Sequence, residues 1–328
     1  MVGIKIRDVA VYHPEKVVDN EFYLNHFKEK GRDIGHFLEV MGRDKRYVID
    51  NDSESTLTMG IEAARQVMDK CGLTGEDIDM IVFSTQVPET TFPTNAIYVH
   101  RALNVKNECS CQDSNASCAG MTLAVDNTSR YMLSSKNVKR ALIVGSDYNT
   151  LLANPDQEIT YANYGDAACA LILEKVEDEV GFIDSAYYSD PVHSDFIRYP
   201  QNGLAAETKS DSFNKYIDWH QFDASESIGA CYHVIDKVLH DNGLTASDIS
   251  VFCMSQFALV NIQKVQERFD IPNEKISYVG DVYGYTGTSS PFIAYSEALD
   301  QGKINPGDYI LFCTVGAGYQ WSAVLFKA

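Results

Sequence analysis

Cys118 stands in the run Asp113–Ser114–Asn115–Ala116–Ser117–Cys118–Ala119–Gly120–Met121, where a polar stretch gives way to apolar residues at helical spacing. A thiol at that junction would face the exposed N–H groups and positive end of a helix, which favour thiolate. Thiolate attacks carbonyl carbon, and the resulting thioester divides one acyl transfer into two easier steps. Backbone N–H groups close by could hold the developing oxyanion. Ala119 and Gly120 equally suit a cysteine that only fills space in a core, and residue types alone leave both readings open.

The other cysteines are Cys71, Cys109, Cys111, Cys169, Cys231, Cys253 and Cys313, most of them in apolar runs. They are expected to remain thiols in a cytosolic protein. Cys109, Cys111 and Cys118 lack a CxxC pair or a suitably spaced histidine, so no metal site is expected. No GxSxG elbow occurs for a serine hydrolase, and Tyr164–Gly165–Asp166–Ala167 is no dinucleotide fingerprint. His220, in Asp218–Trp219–His220–Gln221–Phe222, reads as an exposed loop histidine or as one overhanging a pocket.

Lys and Arg total 27 against 46 Asp and Glu, a net charge of −19. That field repels phosphate backbones and anionic lipid surfaces, so neither nucleic acid nor membrane is an expected partner. The sequence has no apolar run of membrane-spanning length and opens without a signal-peptide pattern, which places the expected location in the cytoplasm.

The elements that must position Cys118 repeat. Residues 72–86 (GLTGEDIDMIVFSTQ) and 243–257 (GLTASDISVFCMSQF) align at an offset of 171 with six identities in fifteen positions, and 57–68 aligns with 228–239 at the same offset. Each repeat reads as a helix, a glycine suited to a left-handed cap (Gly72 or Gly243), then a hydrophobic strand. Both continue into a small-residue helix start and further near-continuous apolar strands, the pattern of an α/β sheet covered on both faces. We expect a first half at 1–176 carrying the cysteine and a second at 177–328. Residues 177–225, weakly periodic and rich in turn signals, are expected to form a cap on the substrate side, with a similar excursion at 20–50.

Five motifs spread over nearly the whole chain carry a family resemblance: YHPEKVVDN (12–20), TFPTNA (91–96), DSNASCAGM (113–121), YGDAACALILE (164–174) and GAGYQWSAVLF (316–326). They resemble those of β-ketoacyl-acyl-carrier-protein synthase III and its thiolase-superfamily relatives. The resemblance implies an α/β fold, a thiolase-like αβαβα sandwich of two duplicated halves, and a homodimer. It also implies fatty-acid or polyketide-type chemistry on acyl-coenzyme A or acyl-carrier-protein thioesters, with no permanently bound cofactor. Cys118 falls on the family's acyl-accepting nucleophile, and Phe92 on a residue that reaches across the dimer to wall the neighbouring acyl pocket. Gly316 and Ala317 fall in the turn that completes the oxyanion hole together with Cys118; a family triple glycine reads Gly316–Ala317–Gly318 here.

The resemblance also marks departures. The family's catalytic histidine falls on Ser255 within Met254–Ser255–Gln256–Phe257–Ala258, and its asparagine on Tyr285 after Tyr283–Gly284. Those two donors stabilise the enolate when a malonyl group decarboxylates, and removing one such donor costs about a hundred- to a thousandfold. Val260 falls where a family arginine meets the carrier's phosphate, leaving Lys264 and Arg268 on that helix. The expected activity is therefore acyl transfer through Cys118, with carbon–carbon condensation in question. A second reading makes the chain a non-catalytic partner subunit of an active homologue.

Overall fold

In a computed structural model of the chain, residues 2–220 and 227–328 are described. The first half contributes β1 (Gly3–Tyr12), β2 (Val17–Asp19), β3 (Lys45–Tyr47), β4 (Met80–Ser84), β5 (Ser110–Ser114), β6 (Arg140–Asp147) and β7 (Ala167–Val176). The second contributes β8 (Gly181–Ser189), β9 (Ile197–Arg198), β10 (Asp218–Trp219), β11 (Ile249–Met254), β12 (Ile276–Ser277), β13 (Tyr309–Gly316) and β14 (Gln320–Lys327).

Among the described residues, ten strands form one hydrogen-bonded order, β12-β11-β13-β14-β8-β1-β7-β6-β4-β5. Read outward from its middle, each side runs through equivalent strands: β1, β7, β6, β4, β5 on one and β8, β14, β13, β11, β12 on the other. The repeat seen at an offset of 171 is thus a structural duplication. The two sides meet in a parallel pairing at Ile4 and Gly181. A Cβ on Gly181 would lie 1.9 Å from the Ile4 carbonyl oxygen, so only glycine allows the approach.

The helix Thr56–Cys71 starts at a capping box in which Ser55 Oγ accepts from Thr58 N–H and Thr58 Oγ1 accepts from Ser55 N–H. It ends at Gly72 with φ 62°. The corresponding helix Ser227–Asp241 is followed by Gly243 at φ 67°. These two helices cover outer faces, each over its own apolar slab. The helices Gly120–Ser134 and Ser290–Asp300 lie in a middle slab fed by strands of both halves, including Val82, Val251, Phe292 and Phe312. Two outer slabs and a central one that contains the middle helices make the αβαβα sandwich, and β4 is buried along its whole length as that position demands.

The cap is shorter than the sequence suggested. Residues 181–189 are β8, paired along its length with β14 and touching β1, rather than part of a cap. Most of its side chains are part-buried or exposed, so polar residues such as Asp184 and Ser185 are tolerated and mask the strand period. What projects from the sheet is 190–220, with β9 and β10 paired as a small antiparallel ribbon; residues 221–225 of the expected cap lie outside the described residues. The excursion at 20–50 folds as the helices Asn20–Glu29 and Gly35–Met41 with the β2–β3 ribbon, sealed by Tyr23, Phe27, Ile34 and Leu38. Among the described residues no helix is long and apolar enough to cross a membrane.

Candidate active site

The turn before the helix Gly120–Ser134 presents Cys118. Ser117 sits at φ 50°, a left-handed conformation held by the Asn115 side chain, whose Oδ1 accepts from Ser117 N–H at 2.8 Å. Ala119 N–H then donates to Ala116 C=O and Gly120 N–H to Ser117 C=O. One first-turn N–H, that of Met121, is taken by Thr288 Oγ1 at 2.7 Å. A Cβ on Gly120 would come within 2.5 Å of Ser84 Oγ, so the glycine lets the helix start lie against the end of β4.

Cys118 is part-exposed to a cavity of about 100 Å³ while protein atoms crowd it on its other sides. That crowding works against the expected ionised sulfur. Burial pushes the thiol up to about 11, against the opposing help of hydrogen bonding from Tyr285 and Gln86, and the Asp147 carboxyl raises it further. The shift favours the protonated thiol at Cys118.

Tyr285 reaches the sulfur from the second half. Its backbone is fastened to the first half: Tyr285 N–H donates to Asn163 C=O at 2.8 Å, and Gly165 N–H donates to Tyr285 C=O at 3.1 Å. The phenol is buried and packed against Cys118, and loss of hydration raises it well above its usual range. Ser255 follows β11, its N–H donating to Cys313 C=O at 2.8 Å. Its Oγ lies within electrostatic reach of the Tyr285 hydroxyl but completes no hydrogen bond among the described residues. Ser255 lines a small apolar hollow of about 20 Å³ adjoining the main cavity, rather than the main cavity.

The turn between β13 and β14 closes the far wall with Gly316, Ala317 and Gly318. A Cβ on Gly316 would lie 2.6 Å from Ala116 C=O, so this turn lies directly on the turn that carries Cys118.

Family models for 3-oxoacyl-[acyl-carrier-protein] synthase III match residues 112–191, which hold Cys118, and for its C-terminal part residues 239–328, which hold Ser255, Tyr285 and Ala317. A β-ketoacyl-[acyl-carrier-protein] synthase III of Erythrobacter litoralis is 30% identical over 330 residues, covering 100% of both chains. The chain belongs to the 3-oxoacyl-[acyl-carrier-protein] synthase III family. Another synthase III, from Coxiella burnetii, is 28% identical over 100% of both chains. The crystal structure of the Aquifex aeolicus synthase III superposes with a TM-score of 0.86 at 25% identity, covering 99% of this chain and 100% of that one. The priming β-ketosynthase of the R1128 polyketide pathway shares the fold, with a TM-score of 0.88 at 19% identity over 99% and 96% of the two chains.

Within this synthase III scaffold, the structure gathers Cys118, Tyr285, Gly316 and Ala317 around one cavity, with Ser255 behind. Phe92 stands apart, 86% exposed and outside the cavity wall of its own chain. His220 also lies outside that wall, paired with Asp218 Oδ2 at 2.9 Å. Its neighbour Trp219 lines the cavity instead, stacked on Phe257 with ring centroids 5.7 Å apart. Phe257 in turn meets Tyr285 edge-on at 5.2 Å.

Sequence reasoning missed Trp219, Phe257, His193 and Gln86 as cavity residues. The repeat held a signal for two of them, because the offset of 171 pairs Gln86 with Phe257 at the ends of equivalent strands. Gln86 touches the cysteine itself: its Oε1 and Nε2 both lie 3.8 Å from Cys118 Sγ.

Proposed function

We propose that this synthase III family member is an acyl-thioester transferase in fatty-acid or polyketide-type biosynthesis, carrying the acyl group on Cys118. The observation that supports it is a cavity lined by Cys118 with the buried Tyr285 side chain packed beside it. Donors are acyl-coenzyme A or the phosphopantetheine thioester of an acyl carrier protein, with no permanently bound cofactor. Ser255 and Tyr285 take the places of the family's histidine and asparagine. The N–H groups of Cys118 and Ala317 receive the oxyanion, with Gly316 giving the turn its close approach.

A phenol and a serine hydroxyl differ from imidazole and carboxamide in reach and acidity. Acyl transfer is therefore favoured over decarboxylative condensation. The halves divide as 1–176, bearing the nucleophile, and 177–328. The working unit is a cytoplasmic homodimer, and Phe92, exposed in the single chain, is the residue we assign to its interface and to the partner's acyl wall.

A second reading has one specific observation behind it: the raised Cys118 thiol suits a non-catalytic partner subunit of an active homologue. One experiment separates them. The purified chain is incubated with acyl-coenzyme A and acyl-carrier-protein donors and its intact mass recorded. An acyl adduct absent from Cys118→Ala is the expected result; no adduct from any donor, with co-purification of a homologue, would favour the partner role.

A further inference from the structure

We propose that Gln86 is a further catalytic residue of this site and that Asp147 is its positioning residue. The proposal rests on the reading of Cys118 as the acyl carrier. Among the described residues no histidine is hydrogen-bonded to the Cys118 sulfur. The amide of Gln86 occupies that place side-on, with Oε1 and Nε2 equally distant from Sγ at 3.8 Å. In the resting thiol the S–H donates to Oε1. As negative charge develops on sulfur, the Nε2 hydrogen held only at 3.4 Å by Asp147 Oδ2 shifts toward it, while the other stays on Asn149 Oδ1.

Asp147 fixes this amide. The carboxyl is buried and accepts from Thr85 Oγ1, Gln86 N–H and Thr288 N–H, each at 2.9 Å, and from Gln86 Nε2 at 3.4 Å. Asn149 Oδ1 accepts from the same Nε2 at 3.1 Å. The site is built for this contact: a Cβ on Gly287 would fall 2.3 Å from Asp147 Oδ2 and 3.0 Å from Gln86 Nε2. The titratable groups facing Asp147 are Cys118 and Tyr164; its other partners are neutral donors. Burial pushes the carboxyl up to about 7, so its charge changes in the working range.

The step balances within the thioester exchange. The Cys118 Sγ–acyl bond forms, the donor's carbon–sulfur bond breaks, and the Cys118 proton leaves with the departing thiol. Gln86 stabilises the negative charge that develops on the Cys118 sulfur as its proton is lost, before the acyl bond forms, and is not consumed.

The test uses the full-length protein with two readouts: acylation by an acyl-coenzyme A, followed by intact mass, and alkylation of Cys118 by iodoacetamide across pH. Gln86→Leu keeps the Thr85 and Thr288 contacts to Asp147. It should slow both reactions roughly tenfold, the loss of one hydrogen bond to a charge, with the thermal midpoint little changed. Asp147→Asn should abolish an inflection near pH 7 that wild type shows. Unchanged rates in Gln86→Leu, or an inflection that survives in Asp147→Asn, would overturn the proposal. If no donor acylates wild type, the acyl-carrier reading fails, while the alkylation rates still decide whether Gln86 tunes the sulfur.

Discussion

Arg43 donates from its guanidinium to the backbone carbonyl of Phe257 at 2.8 Å, which ties the excursion at 20–50 to the segment after β11. The same side chain serves Gln256 C=O, Gly280 C=O, Asn163 Oδ1 and the Tyr278 hydroxyl, with no carboxylate among these partners. Burial lowers its basicity, yet five acceptors compensate the charge.

Arg43→Met should therefore orphan buried carbonyls and cost about 3–5 kcal/mol, read from urea unfolding midpoints. Arg43→Lys keeps the charge but loses the fork, and its cost should fall between wild type and Arg43→Met.

Gly316→Ala places a methyl group against backbone, the Ala116 carbonyl, which cannot swing aside as a side chain would. The turn carrying Ala317 must retreat from Cys118. Cys118 acylation should fall at least about a hundredfold, the scale of losing one oxyanion donor, while iodoacetamide alkylation of the same thiol changes little.

Trp219→Leu removes the ring stacked on Phe257 and widens the cavity on its cap side. Longer or bulkier acyl donors should gain relative to short ones in competition assays read by intact mass. An unchanged donor preference would show that the acyl chain runs elsewhere.

Stability should respond to Asp147 between pH 4 and 7. Its native carboxyl titrates near 7 against an ordinary value of 3.8, so the native state holds a proton that the unfolded chain has released. Stability is then lost as pH rises through that window, by up to roughly 4 kcal/mol from this group. Asp166, pushed up to about 6 by burial, acts in the same direction. Asp77 and Asp248, held low by hydrogen bonds from their Thr74 and Thr245 neighbours, act oppositely and only toward lower pH. In Asp147→Asn, urea midpoints at pH 4.5 and 7.5 should lie closer together than in wild type. The neutral amide resembles the protonated acid that the low-pH fold already holds.

The duplication was legible because its apolar strands and capping glycines, Gly72 and Gly243, are local signals that survive divergence. Cys118 was legible as a candidate because small residues and a helix start surround it. Its raised thiol was not, since the burial behind it comes from segments distant in sequence, among them Ala153 and Tyr164, that pack around it. Gln86 and Asp147 leave the ends of the adjacent parallel strands β4 and β6, and strand order is what brings them together. The cap boundary differs at β8 because most of that strand's side chains are part-buried or exposed, which leaves it little apolar alternation.

The parallel bridge between Tyr164 and Tyr285 joins the two halves beside the nucleophile. Cys118 and Gln86 belong to one copy of the ancestral unit, and Tyr285 and Gly316 to the other. Neither copy alone lines the whole cavity, so on the proposed function an ancestor made of a single unit would have needed to pair with itself to assemble such a centre. A break in the chain at 177–180 should leave fragments that are inert apart and competent only when reassociated.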